Sequence, residues 1–136
     1  MNITGTWTYR SYLNDPALVG NDPAKALAQI FGEGVFVLAA DHAGVITGTF
    51  DMGGGYFLDM KGEVHARAIP PSITMRGTGR AGTPTAGWIY DYLGYEVPMW
   101  PRGVDQKSTI VGSCIRAVPH NGSPAGVTAS TIMIRH

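Results

Sequence analysis

The residues best suited to binding chemistry are concentrated in the stretch WIYDYLGYEVPMWP, residues 88–101, which holds five of the thirteen aromatic side chains. Successive side chains of a strand point to opposite sides. One face of residues 88–93 therefore carries Trp88, Tyr90 and Tyr92, and the other carries Ile89, Asp91 and Leu93. An inward aromatic face would offer stacking surfaces and hydroxyl donors to a flat ligand. The opposite register would turn Asp91 inward and leave the aromatics for a subunit contact, and the sequence leaves both registers open.

The end of this stretch contains Pro98 and Pro101, which cannot continue a strand ladder. Residues 95–105 are interpreted as an irregular lid. Its large side chains, Tyr95, Met99 and Trp100, could close the mouth of a barrel against a ligand. They could equally form a hydrophobic plug over the core.

Titratable and nucleophilic side chains match no catalytic or metal-binding motif. The four histidines fall in turns or at strand ends, without an H-x-x-x-H spacing or a cysteine partner, so we predict no metal site and no cofactor. Cys114 has no identifiable base and is interpreted as a small core residue. His120 follows Arg116 closely and could act as an acid or base, although a solvated turn residue is the simpler interpretation.

Composition excludes several classes of protein. Ten basic and ten acidic residues cancel and form no runs, which disfavours nucleic acid as a partner. A single cysteine cannot form an internal disulfide, and no apolar run approaches the roughly 20 residues of a membrane helix. The start of the chain shows no signal-peptide pattern. We therefore expect a cytoplasmic protein with neither a nucleic-acid nor a membrane partner.

The elements that must position these residues are strands. Nineteen glycines among β-branched and aromatic residues indicate many short strands joined by tight turns. Eight strand-like runs are predicted, at 3–12, 34–41, 45–52, 56–69, 72–80, 88–93, 107–118 and 127–136. Residues 14–34 form a helical or loop insertion. Eight antiparallel neighbours close most economically into an up-and-down barrel, which removes exposed edges. We predict one all-β domain, residues 1–136, with a β-sandwich as the second choice.

Three segments resemble the avidin and streptavidin family in the same order: ITGTW at 3–7, ITGTF at 46–50 and KSTIVGS at 107–113. The resemblance implies an eight-stranded, calycin-type barrel. At the family's biotin-contacting positions this chain has Tyr9, Leu13, Phe50 and Cys114, and Gln106 replaces a tryptophan that caps a neighbouring subunit's ligand. Because a buried polar headgroup without partners is strongly rejected, biotin is not the expected ligand.

The family's register also predicts which side chains point inward. It places Trp7, Tyr9, Ser11, Gly48, Phe50, Gly112, Cys114 and Arg116 inside the barrel. An enclosed guanidinium cannot lose its charge and needs an acceptor. The candidates are an internal ion pair with Asp59 or Asp91, water at the barrel mouth, and an anionic ligand.

Together these observations predict a homo-oligomeric barrel that binds a small, partly apolar molecule, which could be anionic. The predicted ligand-binding residues are Tyr9, Phe50, Tyr90, Tyr92, Trp100 and Arg116. No catalytic residue is assigned. The first alternative is a cofactor-free barrel enzyme of the isomerase or cyclase type, using Arg116, Asp91 or His120. The second is an interaction module whose barrel is filled with side chains.

Overall fold

The computed structural model describes residues 1–136 and consists mostly of β-strands. Eight antiparallel strands each pair with the next, and the last pairs with the first, so the sheet closes without an edge. The strands are β1 Gly5–Leu13, β2 Ile30–Ala40, β3 Val45–Asp51, β4 Phe57–His65, β5 Ser72–Gly79, β6 Ile89–Glu96, β7 Thr109–Arg116 and β8 Thr128–Arg135. The predicted eight-stranded up-and-down barrel is confirmed.

The predicted insertion is shorter than expected. It contains two helical turns, α1 Pro16–Val19 and α2 Pro23–Ala28, capped by the carboxylates of Asp15 and Asp22 with proline directly after each. Strand β2 then begins at Ile30, where Tyr12 pairs with it across a bulge. The region predicted as a lid is also shorter, because β6 continues to Glu96 and Tyr95 lies in the strand opposite Val111.

Alternation along the strands separates a packed interior from the surface. The expected inward set is confirmed for Trp7, Tyr9, Ser11, Phe50, Cys114 and Arg116, all of which are buried. Inward glycines make room for large neighbours. A Cβ atom on Gly34 would lie 2.5 Å from the Phe50 ring, so only glycine admits that ring at this depth.

The two ends of the barrel differ in how they are filled. The connections after β1, β3, β5 and β7 lie at one end, called here the pocket end: residues 14–29, 52–56, 80–88 and 117–127. The other connections and residues 1–4 lie at the plugged end. There Ile3 is fully buried, and its carbonyl accepts a 2.8 Å hydrogen bond from Nε1 of Trp7. Arg135 holds this segment through the carbonyls of Asn2 and Thr4.

No helix of the structure combines the length and the apolar character needed to cross a membrane.

Candidate functional site

A cavity of about 180 Å³ enters the barrel from the pocket end. Strands β1, β2, β3, β4, β6 and β7 supply its walls, and the connections of the pocket end contribute to its rim. Its lining is mostly aromatic and apolar; the polar members are Ser11, Cys114, Arg116 and His120 and the tyrosine hydroxyls. Cavities of this kind, apolar with a few convergent polar groups, are the usual form of small-molecule sites.

The deep wall is a cluster of aromatic rings. The Tyr9 ring meets Phe36, Phe50 and Tyr92 edge to face, with centroids 5.1, 5.0 and 6.1 Å away. The rings of Phe36 and Phe50 stack at 4.2 Å with an interplanar angle of 9°. This interlocked packing limits the depth of the cavity.

Arg116 is the only charged side chain in the cavity and is 8% exposed. Its Nε–H group is shared between the Tyr90 hydroxyl at 3.1 Å and Nε2 of His120 at 3.2 Å, and Nη1 donates to the carbonyl of Pro124 at 3.2 Å. Every one of these partners is neutral. The expected internal ion pair is absent, because Asp59 pairs with Arg80 and Asp91 with Arg76.

His120 stands at the rim, where its ring stacks on Trp88 at 3.9 Å and 14°. Arg116 can only donate, so Nε2 of His120 is the acceptor and the proton resides on Nδ1. Nε2 also accepts from the Tyr90 hydroxyl at 2.8 Å, while Nδ1 is buried without a partner. Burial, and then the positive charge of Arg116, lowers the pKa of His120. The interpretation of His120 as a solvated turn residue is therefore wrong.

The inner polar groups remain in their neutral forms. The Tyr9 hydroxyl donates to Sγ of Cys114 at 3.5 Å. Burial raises the pKa of both groups, and it also raises the pKa of Tyr92 and Tyr90. A buried thiol with a raised pKa is a poor nucleophile, so the interpretation of Cys114 as a core residue agrees with its environment.

Of the two registers left open for β6, the structure has the one in which the aromatic side chains point into the barrel. Tyr90 and Tyr92 face the cavity opposite Arg116 and Cys114 of β7. Asp91 faces outward and forms a two-point pair with Arg76 of β5, at 2.7 and 2.8 Å. Asp91 is therefore excluded both as the partner of Arg116 and as an acid or base in the cavity.

Five of the six predicted ligand-binding residues meet in the cavity, and Trp100 does not. Trp100 lies in the β6–β7 connection at the plugged end and is 79% exposed. In an up-and-down barrel, that connection and the last residue of β7 necessarily lie at opposite ends. The structure therefore does not bring Trp100 together with the other predicted ligand-binding residues.

The rim residues were not in the predicted ligand-binding set, although His120 was named as a candidate acid or base. Phe31, Met52, Trp88 and His120 come from four different parts of the chain, the start of β2 and three connections, and meet because all four lie at the pocket end. Counting strand directions along the sequence would have identified this set, since every second connection of an up-and-down barrel lies at the same end. Phe31 contributes a ring centroid 5.5 Å from the guanidinium carbon of Arg116.

None of the protein-family models, curated proteins and solved structures compared with this chain matches it significantly. The class defined here is thus an eight-stranded antiparallel barrel with an aromatic cavity at one end, and the resemblance to the avidin family stays a prediction.

Proposed function

We propose that this protein binds a small, partly apolar anionic molecule in the cavity at the pocket end. The observation that supports this most directly is Arg116, a buried guanidinium with no carboxylate partner, facing an aromatic cavity. Removing a cation from water is costly unless an opposite charge compensates it. A ligand carboxylate or similar group would supply that charge, while the rings of Tyr9, Phe50 and Tyr92 would contact its apolar part.

Biotin does not fit this proposal. The family's biotin-contacting positions are occupied by Tyr9, Leu13, Phe50 and Cys114, and the Tyr9 hydroxyl is already bonded to Cys114. The deep wall of the cavity is formed by the aromatic rings of Tyr9, Phe36 and Phe50 in place of the family's polar partners.

The experiment is detection and displacement of a bound molecule. The purified protein is examined by native mass spectrometry, and binding of small acids is followed by the fluorescence of Trp88 at the rim. The fluorescence change should disappear in the Trp88→Phe variant. This would assign it to Trp88, because Trp7 and Trp100 do not line the cavity. Arg116→Met should weaken the binding of small acids tenfold or more, whereas Arg76→Met, which removes an outward arginine, should leave it unchanged. Equal binding by both arginine variants would refute the proposal.

A cofactor-free enzyme of the isomerase or cyclase type is the second candidate. The observation that favours it is the hydrogen-bonded group of Tyr90, His120 and Arg116 at the cavity rim. A bound anion would offset the charge of Arg116, and the neutral imidazole could then accept a proton from the ligand. Conversion of a bound compound that is lost in His120→Gln with binding retained would establish this activity.

We also propose that a second copy of the chain covers the outer face of β5–β7. Leu93 is 57% exposed there, beside Ile115 and the depression that both line. The paired charges of Arg76 and Asp91 leave this face nearly neutral, so two copies related by a twofold axis would meet without like-charge repulsion.

Residence in the cytoplasm stays a prediction.

A further inference from the structure

The donor capacity of Arg116 is only partly used. Nε–H and one hydrogen of Nη1 have acceptors within the protein, and the remaining Nη hydrogens have none. The four ion pairs of the structure use Arg10, Arg76, Arg80 and the amino terminus instead. The guanidinium of Arg116 thus has one uncompensated positive charge and free parallel N–H donors. A single carboxylate would neutralise that charge and accept two parallel hydrogen bonds.

The volume of the cavity limits the ligand to one ring and a small substituent. An apolar cavity of roughly 150 Å³ is known to bind benzene, and this one measures about 180 Å³. The enclosing rings of Tyr9, Phe50 and Tyr92 favour a flat occupant that stacks or packs edge to face. Sites for drug-sized ligands are larger, at roughly 300–1,000 Å³.

A second polar group lies deeper than Arg116. Tyr92 is 8% exposed and lines the cavity, and its hydroxyl makes no hydrogen bond within the protein. It stands opposite Cys114, two residues further into the barrel than the pair formed by Tyr90 and Arg116. Arg116 and Tyr92 therefore present polar groups at two depths of one cavity, and a flat ligand with polar groups at its opposite ends could use both. Burial raises the pKa of Tyr92, so the hydroxyl keeps its proton and can donate.

We infer that the ligand is a planar aromatic monocarboxylic acid of about the size of benzoate, with its carboxylate on Arg116 and a polar para substituent at the Tyr92 hydroxyl. This inference rests on the proposed function and specifies its ligand class. A phosphate dianion fits less well, because a single arginine would leave one of its charges uncompensated in a largely apolar cavity.

The test is a matched set of four compounds titrated by calorimetry: 4-hydroxybenzoate, benzoate, 4-hydroxybenzamide and benzamide. 4-Hydroxybenzoate should bind tightest. Loss of the hydroxyl should weaken binding about fivefold, the effect of one ordinary hydrogen bond. Replacing the carboxylate by the neutral amide should weaken binding tenfold or more, because charged hydrogen bonds are stronger.

Two variants connect each preference to its residue. Tyr92→Phe should remove the advantage of the hydroxylated acid while benzoate still binds. Arg116→Met should remove the advantage of acids over amides. Retention of either preference in its variant would overturn the inference, as would full displacement of benzoate by an equal concentration of inorganic phosphate.

A fragment screen by protein-observed nuclear magnetic resonance separates this inference from the proposed function. If anionic non-aromatic fragments shift the resonances of Trp88 and Tyr90 while aromatic acids do not, the ligand class is wrong and the binding function stands. If no fragment shifts these resonances, both are overturned. Shifts produced selectively by aromatic acids support both.

Discussion

The Nε atom of Arg116 lies 3.2 Å from Nε2 of His120, so a cation and a neutral imidazole share a hydrogen bond at the cavity rim. The other neighbours of the imidazole are the Tyr90 hydroxyl, which donates to the same nitrogen, and the stacked Trp88 ring. Protonation of Nε2 would remove the acceptor of both bonds and place two positive charges together. The cavity is therefore built to carry one positive charge, that of Arg116.

Stability should decline with acidification because of His120. Its pKa is lowered in the folded protein by burial and by Arg116, so the unfolded chain takes up the proton first. The stabilising effect of the neutral form is complete above the ordinary pKa of about 6.5 and is lost as the pH falls below it. Urea denaturation at pH 7 and pH 5 measures the decline. It should be smaller in His120→Phe than in the wild type.

The control is His42→Gln, which removes a histidine from an exposed turn. Its stability should decline with pH as much as that of the wild type. Identical declines in the wild type and His120→Phe would contradict the prediction.

Replacing Arg116 by methionine should change the free energy of unfolding by no more than about 1 kcal/mol, and stability could increase. The variant removes a buried charge that has no ion-pair partner and substitutes a flexible apolar side chain. Arg135→Met is the contrasting variant, because Arg135 holds residues 1–4 through two carbonyls, and it should destabilise more. A loss above about 3 kcal/mol in Arg116→Met would assign Arg116 a structural role.

Asp91→Asn should leave ligand binding unchanged. The Asp91 carboxylate lies on the outer face, bonded to Arg76, and its pKa is lowered by that hydrogen bond. Titration of the wild type and the variant with the same aromatic acid checks this. Tenfold weaker binding in the variant would mean that Asp91 acts on the cavity.

Leu93→Arg should dissociate the proposed oligomer. A charged side chain in the centre of the outer face of β5–β7 would be desolvated without a partner on contact. Light scattering gives the molar mass of both proteins. Val37→Arg places the same charge on the exposed outer face of β2 and should leave the mass unchanged. A monomeric wild type would remove the proposal outright.

Gly34→Ala should destabilise the barrel by roughly 1–3 kcal/mol, the usual effect of overpacking. The added Cβ would overlap the Phe50 ring and the carbonyl of Asp51. Gly32→Ala, where the nearest atom lies at an ordinary contact distance of 3.4 Å, is the matched control. Thermal denaturation should show a clearly lower midpoint for Gly34→Ala alone.

Much of the architecture followed from the sequence because strand signals are local. Alternating residues and turn glycines predicted eight strands, and closure into a barrel followed from the need to satisfy every edge. The inward positions of Tyr9, Phe50 and Arg116 followed from the family resemblance together with the two-residue period. The start of β2 was missed because the helical turns of the insertion run directly into it.

The sequence by itself thus determined a closed barrel with Arg116 inside it. Only the tertiary structure decided which face of β6 points inward, because both faces carry large side chains and a period of two cannot distinguish them. The choice depends on pairing with neighbouring strands, where Asp91 meets Arg76 outside and Tyr90 meets Arg116 inside. The same pairing brings Trp88 and His120 to one rim and Trp100 to the opposite end.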